Sequence, residues 1–172
     1  MRLSPDVVVP LLRGSFGREY YYAVEAKTTQ RLLPERATHG AVALTEHQTA
    51  GRGRLGRVWL DDPGAGLTFS VALNPPPPVD RWPELTLVAA RAVAAAVGPE
   101  ATIKAPNDVL VDGRKAAGIL AEAAERVVLG IGVNVGSIPW PGAGYVDANR
   151  LELLVAILDE LERGYDGWLK DR

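Results

Sequence analysis

The stretch ATIKAPNDVLVDGRKAAGILAEAAERVVLGIGVN, residues 101–134, decides the fold. It holds four short apolar runs, 101–104, 108–112, 115–122 and 127–134, separated by turn formers. Asp112-Gly113, between the second and third runs, is a hairpin signal, because both residue types accept the positive φ of a tight two-residue turn. Strands joined by such turns pair antiparallel. Upstream, Leu67, Phe69, Val71 and Leu73 alternate with Thr68, Ser70, Ala72 and Asn74, a period of two that predicts a strand with one buried face. Gly40 to Gln48 and the tyrosines Tyr20 to Tyr22 read as further strands, and Thr28 or Thr29 as the cap of a short helix through Leu33. Pro83 to Val97 has proline at its start, Ala-rich turns and Gly98 as a stop, so it predicts a helix. Asn149 caps a last helix, Leu151 to Arg163, with Leu153, Leu154, Ile157, Leu158 and Leu161 on its inner face. Runs of strands with separate helices imply an α+β fold: one domain over 1–172, built on a mixed, largely antiparallel sheet with flanking helices.

Composition narrows the function. The chain has 172 residues, 47% of them apolar, enough for a core. Its net charge of −2 argues against a free-standing nucleic-acid binder. The lack of cysteine removes disulfides and thiolate metal sites and fits a reducing compartment. Met1 to Asp6 has no signal-peptide core, and the apolar run Leu85 to Val97 carries Arg91 and is too short to span a bilayer. The expectation is a cytoplasmic protein with no membrane contact. His39 and His47 lie eight apart without other ligand types beside them, so no metal site is assigned.

The most unusual segment is Gly51-Arg52-Gly53-Arg54-Leu55-Gly56-Arg57. It satisfies G-x-G-x-x-G, but a dinucleotide-binding turn opens a helix, and Val58-Trp59-Leu60-Asp61-Asp62-Pro63-Gly64 follows instead. It also mimics a P-loop, but Arg57-Val58 stands where Lys-Ser/Thr would hold phosphate and magnesium. Three glycines and three arginines in seven residues remain. Glycine frees the backbone, and arginine offers a fork of donors to phosphate or carboxylate. The segment is an anion-binding loop or a solvated run of charge.

Four segments taken together resemble the biotin–protein ligases. Gln48-Thr49-Ala50-Gly51-Arg52-Gly53-Arg54-Leu55-Gly56-Arg57-Val58-Trp59 is similar to that family's Gln-x-Ala-Gly-Arg-Gly-Arg-x-Gly-Arg-x-Trp. Lys104-Ala105-Pro106-Asn107-Asp108 is similar to its Lys-Trp-Pro-Asn-Asp. Lys115-Ala116-Ala117-Gly118-Ile119-Leu120-Ala121-Glu122 is similar to Lys-x-x-Gly-Ile-Leu-x-Glu, and Gly130-Ile131-Gly132-Val133-Asn134 to Gly-x-Gly-x-Asn. The motifs fall in the family's order within residues 28–134.

The resemblance implies the class II synthetase/biotin ligase-like fold and a two-step reaction. Biotin and MgATP give biotinyl-5′-AMP and pyrophosphate, and the acyl group then passes to a lysine of a biotin carboxyl carrier protein. ATP, Mg2+ and biotin are thus the implied ligands, and a carboxylase carrier subunit the implied partner. Bringing a carboxylate to a triphosphate sets like charges together, at about 4 kcal/mol per pair of unit charges 4 Å apart at an effective dielectric near 20. Fixed cations offset that repulsion. By resemblance Lys115, Arg52, Arg54 and Asp108 are catalytic. Thr28, Gln48, Gly51, Arg52, Lys115, Gly118, Leu120 and Gly130 bind biotin. Arg54, Arg57, Trp59, Lys104, Asn107 and Asn134 bind ATP or the adenylate. Residue chemistry alone leaves alternatives: Lys115 as a solvated hairpin lysine, Lys104 paired with Asp108, Asp108 as a turn aspartate, Gly118 and Gly130 as bulge residues, Asn134 as a turn former. The glycine–arginine loop is expected to act as a lid over the reactive mixed anhydride.

Three features depart from the family. Its Ser-Thr-Asn appears as Lys27-Thr28-Thr29-Gln30, its motif tryptophan is Ala105, and no N-terminal DNA-binding segment or C-terminal SH3-like domain is recognised. The rival readings are a lipoate or octanoate ligase or transferase of the same fold, and a non-catalytic module that binds biotin or its adenylate. The chain is expected to be a monomer or a weak homodimer.

Overall fold

A computed structural model describes residues 1–171. Its elements are α1 (Pro5–Val8), β1 (Tyr20–Ala26), α2 (Thr29–Leu32), β2 (Val42–Gln48), β3 (Leu67–Leu73), α3 (Glu84–Val97), β4 (Ala101–Lys104), β5 (Asp108–Val111), β6 (Arg114–Ala123), β7 (Val127–Val133) and α4 (Arg150–Lys170). The strands form one sheet in the order β1-β2-β3-β7-β6-β5-β4. β1 and β2 run parallel, with Tyr20 opposite Val42, and the other pairings are antiparallel. The α+β class and the mixed, largely antiparallel sheet expected from the hairpin signals are present. At the β5–β6 turn Asp112 (φ 52°) and Gly113 (φ 71°) are both left-handed, as a type I′ turn requires.

Alternation along the strands divides the sheet into two faces. Leu67, Phe69, Val71 and Leu73 of β3 join Leu129 and Ile131 of β7 in the main core under α3 and α4. On the opposite face Ala43 and Ala72 pack with Leu33, Ala37 and Ala41. Thr68 and Ser70 on that second face are also buried, so β3 is covered on both sides rather than one. The cover is non-local: α2 brings Thr29 Oγ1 to 2.7 Å from Ser70 Oγ. The register irregularity in β5–β6 falls between Val109 and Leu110, not at Gly118 or Gly130.

Helix α4 corrects a second expectation, because it continues past Arg163 to Lys170. Gly164 and Gly167 lie inside the added turns. A Cβ at Gly164 would lie 3.1 Å from Val88 Cγ1, so the small residue serves close packing against α3. Tyr165 and Trp168, both buried, supply the added turns with an apolar face. The start is as expected: Asn149 Oδ1 accepts from the Leu151 and Glu152 amides at 3.0 and 3.1 Å.

A buried charged hub ties the last helix to the end of β2. Glu46, 8% exposed, accepts from the Leu3 amide at 2.8 Å, the Tyr22 hydroxyl at 3.0 Å and Arg150 at 2.7 Å. Burial pushes the Glu46 carboxyl toward its neutral form, but those three donors outweigh it and hold its pKa below the ordinary value. Arg150 also donates to the Gly66 carbonyl. The hub fixes the chain on both sides of the glycine–arginine loop.

Candidate active site

The glycine–arginine loop is folded as a small hairpin across the second face of the sheet. Gly53 N donates to the Arg57 carbonyl at 2.8 Å and Trp59 N to the Gly51 carbonyl at 3.0 Å, with Arg52 and Val58 bridged between them. Its tip is a tight turn at Arg54–Gly56 in which Leu55 (φ 58°) and Gly56 (φ 73°) are left-handed. The incoming arm follows the end of β1, through Thr49 N to the Ala26 carbonyl and Ala50 N to the Lys27 carbonyl. Gly51 has a steric reason to be glycine, since a Cβ there would meet the Trp59 carbonyl oxygen at 2.5 Å.

Under this hairpin the sheet is stripped of side chains. Gly132 of β7 sits between Thr68 of β3 and Gly118 of β6, and Gly130 between Ser70 and Leu120. The Trp59 indole fills the relief above Gly132, where a Cβ would lie 2.4 Å from its Cε2. Trp59 also passes over Gly118, and its Nε1 is buried with no hydrogen-bond partner among the described residues.

The two flanks of this trough differ in charge. On the β2–β3 side the groups are neutral: the Thr29 amide donates to Gln48 Oε1 at 2.9 Å, and Gln30 lies over Gly130. On the β5–β6 side they are charged, with Lys115, Arg52 and Arg54 outnumbering the carboxylates of Asp108 and Glu122. Lys115 Nζ stands 3.0 Å from Asp108 Oδ1, in a contact too oblique to satisfy that buried oxygen as a hydrogen bond, and 5.8 Å from the Trp59 ring centroid. Arg54 donates to Asn107 Oδ1 at 3.2 Å, and Arg52 to Glu122 at 2.6 Å. Two interstrand spacings, about 10 Å, separate β3 from β6.

Most of the residues singled out in the sequence converge here. Gln48, Arg52, Arg54, Trp59, Asn107 and Lys115 line the trough together with Gly118, Leu120 and Gly130. Asn134 is next to it: its Nδ2 donates to the Gly144 carbonyl at 3.0 Å, and it shares a second depression with Trp59, Lys115 and Trp140. Gly51 holds the base of the hairpin, and Arg57 on the outgoing arm is exposed. Lys104 pairs with Asp108 in the β4–β5 register but is exposed, and the ion pair is made by Lys115 instead. Thr28 does not line the trough; its hydroxyl accepts from the Arg31 amide as the cap of α2, and Thr29 takes the place facing Gln48.

Sequence reasoning missed Thr29, Gln30, Thr68 and Trp140 as lining residues. Thr68 carried a signal, as one of two polar residues, with Ser70, on the face of β3 opposite its large apolar side chains. Trp140 stood isolated between Pro139 and Pro141, an aromatic in a loop with no visible core to join. The histidines do other work: His39 Nδ1 accepts from the Asn74 amide, and His47 Nδ1 lies 3.1 Å from Asp61 Oδ1. No group of three or more His, Asp or Glu side chains among the described residues is placed to hold a metal ion.

Residues 22–136 match the biotin/lipoate A/B protein ligase family, well over half of the chain. The chain belongs to that family. This biotin/lipoate A/B protein ligase family member is 42% identical over 178 residues to the biotin–[acetyl-CoA-carboxylase] ligase of Mycobacterium tuberculosis, covering 90% of the chain and 67% of that relative. It is 42% identical over 119 residues to the bifunctional ligase/repressor BirA of Bacillus spizizenii, covering 63% of the chain. The chain spans 37% of that relative and 38% of the Bacillus subtilis one. Among solved structures, it matches the Aquifex aeolicus biotin protein ligase in complex with biotin and ATP with a TM-score of 0.77 and 28% identity, covering 89% of this chain and 72% of that one. The Leishmania major biotin protein ligase in complex with biotinyl-5-AMP shares the fold, with a TM-score of 0.72 and 23% identity over 88% of this chain and 80% of that one. No helix among the described residues is long and apolar enough to cross a membrane.

Proposed function

We propose that the trough activates biotin with ATP to biotinyl-5′-adenylate and passes the acyl group to a lysine of a biotin carboxyl carrier protein. The observation that carries this reading is the charge gradient across the sheet. A ligand that fits has a neutral hydrogen-bonding head for Thr29, Gln30 and Gln48, a slim apolar body for the glycine floor, and an anionic tail for Lys115, Arg52 and Arg54. Biotin has a ureido head, a fused-ring body and a carboxylate. A dithiolane head offers Gln30 no hydrogen bond, and an unpaired buried polar group costs about 1–3 kcal/mol. The relatives named above as biotin ligases support the same choice.

The residues divide the chemistry as follows. The biotin carboxylate oxygen attacks the α-phosphorus of ATP, its bond to the β-phosphate bridging oxygen breaks, and pyrophosphate leaves. Lys115 and Arg54 offset the carboxylate–phosphate repulsion and the charge that develops on the α-phosphate oxygens. Asp108 holds Lys115 in place until the ligand's own anions compete for it. Arg52 closes the carboxylate end from the hairpin, and Trp59 walls the adenylate from water with its Nε1 free to donate to it. The adenine lies toward Asn134 and Trp140, in the second depression. Mg2+ would come with the triphosphate and offset its charge, and Asp108 would be the carboxylate beside the phosphates to help hold it, as that ion is usually held by substrate phosphates and one or two carboxylates. The acceptor lysine then attacks the mixed anhydride and AMP leaves.

ATP–pyrophosphate exchange tests the reading. Exchange that depends on biotin, and falls at least 100-fold in Lys115→Ala, is the expected result, equivalent to about 2.7 kcal/mol. Exchange with lipoate or octanoate alone overturns the choice of substrate. Biotin binding without exchange overturns the enzyme.

A further inference from the structure

The outgoing arm of the hairpin is fastened by a carboxylate that the chemistry above does not use. Asp61 lies two residues beyond Trp59, and its side chain is only 6% exposed. Its Oδ2 accepts from the Gln48 backbone amide at 2.9 Å, and its Oδ1 lies 3.1 Å from His47 Nδ1. Both partners belong to the end of β2, beside the Gln48 side chain that receives the Thr29 amide. A second rung follows, from Gly64 N to the Glu46 carbonyl at 2.9 Å. The incoming arm is already held by backbone bonds to Ala26 and Lys27. Among the described residues the outgoing arm has no such run of backbone bonds to the sheet between Trp59 and Gly64, and Leu60 there is 55% exposed.

We propose that Asp61 is a positioning residue for the hairpin: its carboxylate clasps the outgoing arm to His47 and Gln48 and thereby keeps Trp59 seated on Gly132 and Gly118. The clasp acts at the arm's root. The chain from Asp61 back to Trp59 is two residues, at most about 7 Å of extended backbone, so fixing Asp61 confines the indole to the trough. Releasing it leaves the hairpin held by its own two rungs, Gly53 N to Arg57 and Trp59 N to Gly51, so that it lifts from the sheet and opens around the exposed Arg52, Arg54 and Arg57, giving a protease extended backbone at all three. The inference rests on the proposed adenylate chemistry only for its consequence, which is water entry; the clasp itself is a property of the free chain.

Limited trypsin digestion of the full chain reads the clasp directly, because the hairpin carries three arginines within six residues. Asp61→Ala is expected to raise cleavage after Arg52, Arg54 and Arg57 at least ten-fold, with cleavage elsewhere unchanged. Asp61→Asn keeps an oxygen for the Gln48 amide and stays within about three-fold of the wild type. His47→Ala, which removes only the more exposed contact, is expected to raise hairpin cleavage about three-fold. With biotin and ATP, the AMP released per biotin transferred is expected to rise about ten-fold in Asp61→Ala, as the adenylate escapes or is hydrolysed to biotin and AMP. Wild-type digestion of Asp61→Ala overturns the proposal, and so does cleavage that rises equally along the whole chain. If Asp61→Ala does not fold, His47→Ala decides: a local rise supports the clasp and none overturns it. A wild-type chain that forms no biotinyl-adenylate sinks the proposed function, while the digestion pattern still judges Asp61.

Discussion

The same strands present two faces that obey different rules. On the face under α3 and α4, β3 and β7 contribute Leu67, Phe69, Val71, Leu129 and Ile131, fully or almost fully buried. One residue along, they contribute Thr68, Ser70, Gly130 and Gly132. The first face is packed to hold the sheet together, where each large side chain adds roughly 1.5–3 kcal/mol by burial. The second gives up that burial. Its glycines leave a trough, and the Trp59 indole, which the chain carries in on a hairpin rather than building into a strand, fills it. A packed face cannot admit a ligand, whereas a face cleared of side chains and covered by a removable one can.

The largest expected effect breaks the packed face. Phe69→Ala removes a fully buried ring and is expected to cost about 3–5 kcal/mol in denaturant unfolding, with biotin-dependent exchange per folded molecule unchanged. Gly132→Ala tests the other face at a neighbouring strand. Its Cβ would lie 2.4, 2.5 and 2.8 Å from three atoms of the rigid indole, so Trp59 must leave its seat. The expected result is a 10- to 100-fold loss of exchange, about 1.4–2.7 kcal/mol at the transition state, with a stability change below about 1 kcal/mol. If Gly132→Ala unfolds the chain as readily as Phe69→Ala, the two faces do not divide the work and the contrast fails.

How much of this contrast was legible depended on whether its cause was local. The period-two pattern of β3 and the Asp112-Gly113 turn are local, and both were readable. Burial of Ser70 was not, because Thr29, which covers it, arrives from α2, some forty residues upstream. The run of α4 past Arg163 was not legible either, because the close contact of Gly164 with Val88 that it serves is invisible along the chain. The motif residues Gln48, Arg54, Asn107 and Lys115 were singled out by resemblance to a family's motifs and line one trough, yet that resemblance did not say that Thr28 would turn inward to cap α2 and leave Thr29 to face Gln48. Lys104 and Asp108 looked like a pair along the chain, and they are register neighbours. The hairpin β5–β6 then brings Lys115 to that carboxylate instead. Polar residues on a cleared face are assigned partners by tertiary approach, and that information is not in their neighbours.

The smallest expected effect concerns the charged exception on the helix-covered side, Glu46. Its carboxyl is held below its ordinary pKa by the Leu3 amide, Arg150 and the Tyr22 hydroxyl against the opposing pull of burial. A carboxyl with a native pKa below its unfolded value, about 4.3 for glutamate, stabilises the fold above that unfolded value. The contribution is lost as pH falls through the lower native value, because the unfolded chain then binds the proton more readily. One group changes the slope of stability with pH by at most one proton, about 1.4 kcal/mol per pH unit. Unfolding free energies of the wild type and Glu46→Gln, measured from pH 6 down to pH 3, should therefore diverge in slope only below about pH 5, the wild type falling more steeply. The variant's slope does not vanish, since Glu162 is also held below its ordinary value: burial opposes ionisation there too, and bonds from Ser15 and the Phe16 amide prevail. Equal slopes would mean that the hub at the end of β2 is neutral in its working state, and the anchor of the hairpin's root would then have to be sought in Asp61 alone.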